Sequence, residues 1–156
     1  MIDVRELKDA DVVVAFVEYA ILVVVKMMLM SVTTAFFRIK KKAFANPEDV
    51  ATVGKGEGAK KYLRTDPDVE RVRRIHLNDL ENIIPFLLVG FFYSFSGVSR
   101  STALWHYRIF VVSRVFHTFA YLIPLPQPCR GLSWFIGYMV TFSMIGQLGL
   151  VYYRMP

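Results

Sequence analysis

Two stretches of this chain carry no charge at all: positions 82–99 and positions 131–153. An uncharged, mostly apolar run of 18 or more residues is a candidate membrane-spanning helix, because about 20 residues at about 1.5 Å each cross a hydrocarbon layer of about 30 Å. Two further segments are apolar with sparse ionisable side chains. Positions 12–37 include Glu18 and Lys26, and positions 101–122 include His106, Arg108, Arg114 and His117. The pattern therefore predicts helices at about 12–37, 77–97, 101–122 and 130–152, an all-α integral membrane protein built as an antiparallel bundle of four transmembrane helices. A water-soluble bundle would show one apolar stripe per helix. Positions 83–92 (IIPFLLVGFF) are apolar all round and leave no solvated face.

Composition agrees: 54% of the 156 residues are hydrophobic, which excludes a disordered chain. That length fits a single domain spanning 1–156. One cysteine excludes an internal disulfide framework. The net charge of +6 does not point to nucleic acid, because the basic residues gather in one connection. Between positions 38 and 74 there are eleven basic residues against six acidic ones. The positive-inside rule puts this loop, about 38–76, in the cytosol, with both termini opposite. The turn at 124–130 then shares the cytosolic side with the basic loop. Asp3, Glu6, Asp9 and Asp11 stand where a cleavable signal would be positive, so the first helix is expected to remain as an anchor.

Ionisable residues at membrane depth are costly and mark a functional site or a buried pair. Arg74, Asn78 and Glu81 share one helix face, and Arg114, His117 and Tyr121 share another. Arg38, Arg73, Arg74 and His76 fall at the cytosolic ends of the first two helices, and Arg130 opens the fourth. This set suits a small anion that also carries an amine, since a guanidinium matches a carboxylate and a lone glutamate matches an ammonium. The competing reading is that Arg73 and Arg74 snorkel to headgroups while Glu81 pairs with a neighbouring helix. Lys26 is expected to neutralise an acid on another helix, either Asp79 or Glu81. Cys129, beside Arg130, is a candidate reactive thiol or an inert one. The glycine-rich run at 54–58 lacks phosphate-loop spacing, and the three histidines lack metal-ligand spacing, so no metal is expected. Phe91, Phe92, Tyr93, Phe95, Trp134 and Phe135 read as packing groups and interface anchors.

Two motifs go further. The runs FANPED at 44–49 and VERVRRIHLNDLENIIPF at 69–86 resemble the signatures of the MAPEG family of integral membrane, glutathione-dependent enzymes, and the likeness extends from about position 26 to 134. Positions 54–66 and the PLPQP turn at 124–128 are most similar to the family's glutathione-conjugating branch. Positions 41–43, 66–71 and 93–95 are shared with its prostaglandin-synthesising branch. The resemblance implies a homotrimer with glutathione held between neighbouring subunits near the cytosolic surface. It assigns glutathione contacts to Arg38, Arg73, Arg74, His76, Asn78, Glu81 and Tyr121. Arg130 matches the arginine that holds the thiolate, with Arg114 and His117 lining the same region.

The implied activity is conjugation of glutathione to hydrophobic electrophiles and reduction of lipid hydroperoxides. The implied location is the endoplasmic reticulum, with the mitochondrial outer membrane as a second. Alternatives within the family are prostaglandin E or leukotriene C4 synthesis and non-catalytic lipid presentation. Gly131 replaces a serine that the prostaglandin-synthesising branch carries after its arginine, although Asp49, the other catalytic position proposed for that branch, is present. Val50 replaces a stress-sensing cysteine of the conjugating branch.

Overall fold

The computed structural model describes residues 4–54 and 56–154, with side chains from Ala10 onward except at position 57. Asp3, Lys55 and the side chains of Glu6, Asp9 and Glu57 lie outside the described residues. Among the described residues the elements are α1 (Val4–Lys41), α2 (Pro47–Val50), a 3-10 turn (Glu57–Tyr62), α3 (Pro67–Ser94), α4 (Arg100–Leu122) and α5 (Cys129–Tyr153).

The third helix begins about ten residues before the expected 77, and local chemistry explains why. The Asp66 carboxylate accepts from the backbone N–H of Asp68 at 2.9 Å and of Val69 at 3.4 Å, and Pro67 occupies the first turn. Both features start helices, and Asp68 and Glu70 suit the positive end of the helix dipole. Val69, Val72 and Ile75 turn inward at helical spacing. Charge on the outer side of these turns breaks the uncharged pattern that marks the rest of the helix. The same helix ends at Ser94 rather than 97, and Gly97, at φ +71°, carries the turn towards α4. Ser99 caps α4 by accepting from Thr102 N–H at 3.2 Å.

The first helix likewise runs on to Lys41, so the basic connection shrinks to 42–66. That connection is folded back on itself. Phe44 N–H donates to Tyr62 O at 2.9 Å, Arg64 N–H donates to Phe44 O at 3.2 Å, and Phe44, Val50 and Ala59 form a small apolar cluster. Lys41 pairs with Asp68 at 2.6 Å and ties the end of α1 to the start of α3.

Contacts fix the helix directions. Phe16 meets Phe86 whereas Lys26 meets Asp79, so α1 and α3 run antiparallel. Phe86 stacks on Phe110 while Asn78 reaches Arg114, and His106 reaches Ser143 while His117 reaches Ser133. The long helices therefore go up, down, up and down. Around the bundle the order is α1, α3, α5, α4, with α3 and α4 also touching across the middle.

In lipid, helices associate through close packing rather than exclusion of water. Here Phe86 and Phe110 lie parallel with centroids 3.8 Å apart, and Gly90 gives room to the Phe16 ring. The outer surface is apolar, with Val32, Leu88 and Val112 all more than 60% exposed. By length and composition, α1, α3 and α5 are each able to cross a membrane; α4 carries Arg108 and Arg114 in its middle and is less apolar. The interior is aromatic and aliphatic from Ile83 towards Tyr93. Towards the end that carries the basic connection it turns polar, and that change locates the site.

Candidate functional site

Lys26, Asp79, Arg114 and Asn78 meet inside the bundle. The Lys26 ammonium donates to both Asp79 carboxylate oxygens at 2.5 Å. Arg114, fully buried, donates from Nη2 to Asn78 Oδ1 at 2.6 Å and stands 3.7 Å from Asp79. Of the two acids that sequence offered as partner for Lys26, the structure selects Asp79. The reason is register: Asp79 lies on the inward face with Val72, Ile75 and Phe86, whereas Glu81 is turned outward.

One turn further along α4, His117 is held by α5. Its Nδ1 lies 3.1 Å from both the Arg130 carbonyl and Ser133 Oγ, and Ser133 Oγ also donates to the Arg130 carbonyl at 3.0 Å. The Tyr121 ring packs against His117 with centroids 5.0 Å apart, and the Arg130 guanidinium lies over that same ring at 5.0 Å. Thus Arg130 is anchored through its backbone while its side chain rests on an aromatic face. The turn into α5 helps: Gln127 Oε1 accepts from Gly131 N–H at 3.3 Å, in the first turn of the helix where N–H groups lack partners. Ser133 and Gln127 were not singled out from sequence. A hydroxyl one turn after Arg130 was the available signal.

The remaining candidates divide between two sides of α3. Arg38, Arg73 and His76 line a cleft of about 500 Å³ between α1 and α3, together with Asp49, Thr34 and Thr52. Arg73 is also 3.3 Å from Glu70. On the opposite side, towards α5, Glu81 borders a small groove of about 90 Å³ with Asn82, Pro85, Tyr138 and Thr141. Pro85 has no N–H for the Glu81 carbonyl, so the backbone is open there as well. Arg74 and Glu81 are exposed and make no ion pair among the described residues. The structure therefore brings Arg114 to Asn78, and His117 to Arg130 and Tyr121, but it places Arg73 and His76 in a different cleft from Glu81, while Arg74 is exposed and lines neither.

Buried polar groups are nearly always hydrogen-bonded, so the exceptions are informative. Among the described residues they are His76 Nδ1, Asn82 Oδ1, Tyr107 OH, Arg114 Nε and Nη1, His117 Nε2 and Arg130 Nε. All but Tyr107 belong to the polar end of the bundle. Guanidinium N–H donors of Arg114 and Arg130 stand ready there without protein acceptors. Beside them lie free ring nitrogens of His76 and His117; because His117 Nδ1 donates to the Arg130 carbonyl, its Nε2 in the neutral ring is an acceptor. Such an arrangement can hold a polar anion and can stabilise negative charge on a reacting atom.

Comparison with known proteins accords with this geometry. Microsomal glutathione S-transferase 1 from Homo sapiens is 60% identical over 95% of this chain and 96% of its own length. The protein of that name from Mus musculus is 62% identical over the same shares. Prostaglandin E synthase from Bos taurus is 43% identical over 92% of this chain and 91% of its own. The MAPEG family model matches residues 16–150, and the chain belongs to that family.

Proposed function

We propose that this protein is a membrane glutathione transferase with glutathione-dependent peroxidase activity. The observation that carries the reading is the set of buried, unpartnered guanidinium donors on Arg114 and Arg130, with free ring nitrogens of His76 and His117 beside them, at one end of the bundle. It is supported by the likeness to proteins named microsomal glutathione S-transferase 1.

In this reading α4 is a fourth crossing. Its 23 residues reach about 35 Å, and its central arginine is turned into the bundle, where Nη2 donates to Asn78 and Asp79 stands 3.7 Å away. The basic connection faces the cytosol of the endoplasmic reticulum or of the mitochondrial outer membrane. Three protomers assemble, and the Arg38, Arg73 and His76 cleft of one meets the Arg74, Asn78 and Glu81 side of its neighbour. Division of the residues between separate clefts beside α3 favours such a shared site. Arginines and His76 hold the carboxylates of glutathione, and Glu81 holds its ammonium. Arg130 and Arg114, backed by His117 and Tyr121, face the sulfur.

A free thiol with a pKa of about 8.5 is mostly protonated at neutral pH, so adjacent guanidinium charge is needed to favour the anion. The thiol proton leaves to solvent and the thiolate attacks. With an aryl halide a carbon–sulfur bond forms and halide departs. With a lipid hydroperoxide the sulfur takes the terminal oxygen, releasing an alcohol, and a second glutathione converts the sulfenic acid to disulfide and water. The electrophile arrives from the bilayer. An apolar cleft of about 530 Å³ between α4 and α5, lined by Trp105, Val112, Phe116 and Leu132 and reaching Ser133, offers it a route. Proximity at this boundary supplies part of the rate.

Prostaglandin endoperoxide isomerisation is the second reading, favoured by Asp49 in the α1–α3 cleft and disfavoured by Gly131. Membranes carrying the protein are expected to turn over a dinitrophenyl halide faster than the endoperoxide, and the opposite order would transfer the protein to that reading. Co-expression of Arg38→Ala and Glu81→Gln chains tests the shared site. Each alone is impaired, mixed assemblies regain activity, and no regain refutes a site between subunits.

A further inference from the structure

The buried ion cluster has an odd number of charges. Lys26 and Arg114 supply two positive charges, Asp79 supplies one negative charge, and Asn78 supplies none. Lys26 engages both Asp79 oxygens at 2.5 Å, whereas Arg114 stays 3.7 Å away. The carboxylate is therefore committed to the lysine. Arg114, completely buried, keeps its charge together with unpartnered Nε and Nη1. An uncompensated cation inside a bundle is expensive, and it is tolerated where an anion comes to meet it.

Building on the function proposed above, we infer that Lys26 is a positioning residue for thiolate formation. By occupying Asp79 it keeps the cluster one charge positive, so Arg114 offers that surplus to the glutathione sulfur rather than to the carboxylate. Without the ammonium, Arg114 would close the 3.7 Å gap, and the cluster would become neutral. The covalent chemistry is unchanged; only the charge facing the sulfur differs.

Lys26→Met and the double variant Lys26→Met/Asp79→Asn test this in the purified full chain. Thiolate absorbance is followed against pH with glutathione, and S-methylglutathione, which has no thiol proton, reports the intact binding site by calorimetry. Lys26→Met is expected to raise the thiolate midpoint by about one pH unit, leaving about tenfold less thiolate at neutral pH, with S-methylglutathione still bound. The double variant again has one net positive charge, from Arg114 alone, and its midpoint is expected to return to the wild-type range. It leaves no unpaired acid in the interior, so it carries the test even where the single variant does not fold.

A pair with a merely structural role predicts the reverse, since the double variant lacks the pair as completely as the single one. A wild-type midpoint in Lys26→Met, or a double variant with little thiolate and intact S-methylglutathione binding, overturns the inference while leaving the transferase reading in place. No thiolate signal in the wild-type protein overturns the transferase reading itself, and the role of Lys26 with it.

Discussion

Arg130→Ala is expected to abolish thiolate stabilisation while sparing the local fold. The contacts that fix this position are made by backbone: His117 and Ser133 both engage the Arg130 carbonyl, at 3.1 and 3.0 Å, and alanine keeps that carbonyl. The side chain itself is held by the Tyr121 face at 5.0 Å, an interaction of about 0.5–1 kcal/mol at a partly exposed site. Its charge matters more. Two unit charges about 6 Å apart, at an effective dielectric constant of about 20, interact by about 2.8 kcal/mol. That corresponds to a shift of about two pH units in the ionisation of the bound thiol, and so to about a hundredfold loss of thiolate at neutral pH. Arg130→Lys keeps the charge without the planar fork and is expected to fall between. The assay pairs stopped-flow ultraviolet absorbance of the thiolate with calorimetric affinity for S-methylglutathione. A large loss in the first with a small loss in the second is the expected result. Equal losses in both would make Arg130 an ordinary binding residue and refute the reasoning.

Other substitutions probe other parts of the account. Glu81→Gln removes the partner assigned to the glutathione ammonium, at a cost of about 1.5–3 kcal/mol for a charged hydrogen bond, so affinity should weaken at least about tenfold; unchanged affinity would free Glu81 of that role. Gly131→Ser should be accommodated, because the nearest neighbour of an added Cβ is Gln127 Oε1 at 3.5 Å. It is expected to keep conjugating activity and gain endoperoxide isomerisation, and product analysis showing no gain would mean the hydroxyl alone is insufficient. Gly90→Leu drives a side chain into the Phe16 ring, only 2.5 Å from where its Cβ would lie. Overpacking of that kind costs about 1–3 kcal/mol, so thermal unfolding in detergent should come at lower temperature, and an unchanged Tm would contradict the packing described for α1 and α3.

Much of this organisation was legible in the sequence because lipid imposes a severe rule on composition. Uncharged runs at 82–99 and 131–153 can only be apolar helices or buried core, and they placed the bodies of α3 and α5. The rule fails where helices leave the apolar layer. Residues 67–76 are rich in charge and fall in the expected loop, yet Asp66 and Pro67 start a helix there whose outer face is charged and whose inner face carries Val69, Val72 and Ile75.

Grouping by helix face also succeeded only in part. Spacing correctly joined His117 to Tyr121, and it drew attention to Arg114 and Asn78 separately. It could not show that they touch, because contact between α3 and α4 depends on register between helices distant in sequence. Nor could it show that of Arg73 and Arg74, adjacent in sequence, only Arg73 lines the cleft against α1. A step of about 100° per residue separates them, and only the positions of α1 and α5 give that angle meaning. The choice of Asp79 over Glu81 for Lys26 has the same origin.

The central claim is that cations gathered at the polar end of the bundle ionise the glutathione thiol on binding. Calorimetric titration of glutathione into the purified protein at neutral pH, in buffers of different ionisation enthalpy, measures the proton inventory directly. The account predicts net release of a proton with glutathione and none with S-methylglutathione. Equal affinity for both ligands with no proton released from either would contradict it.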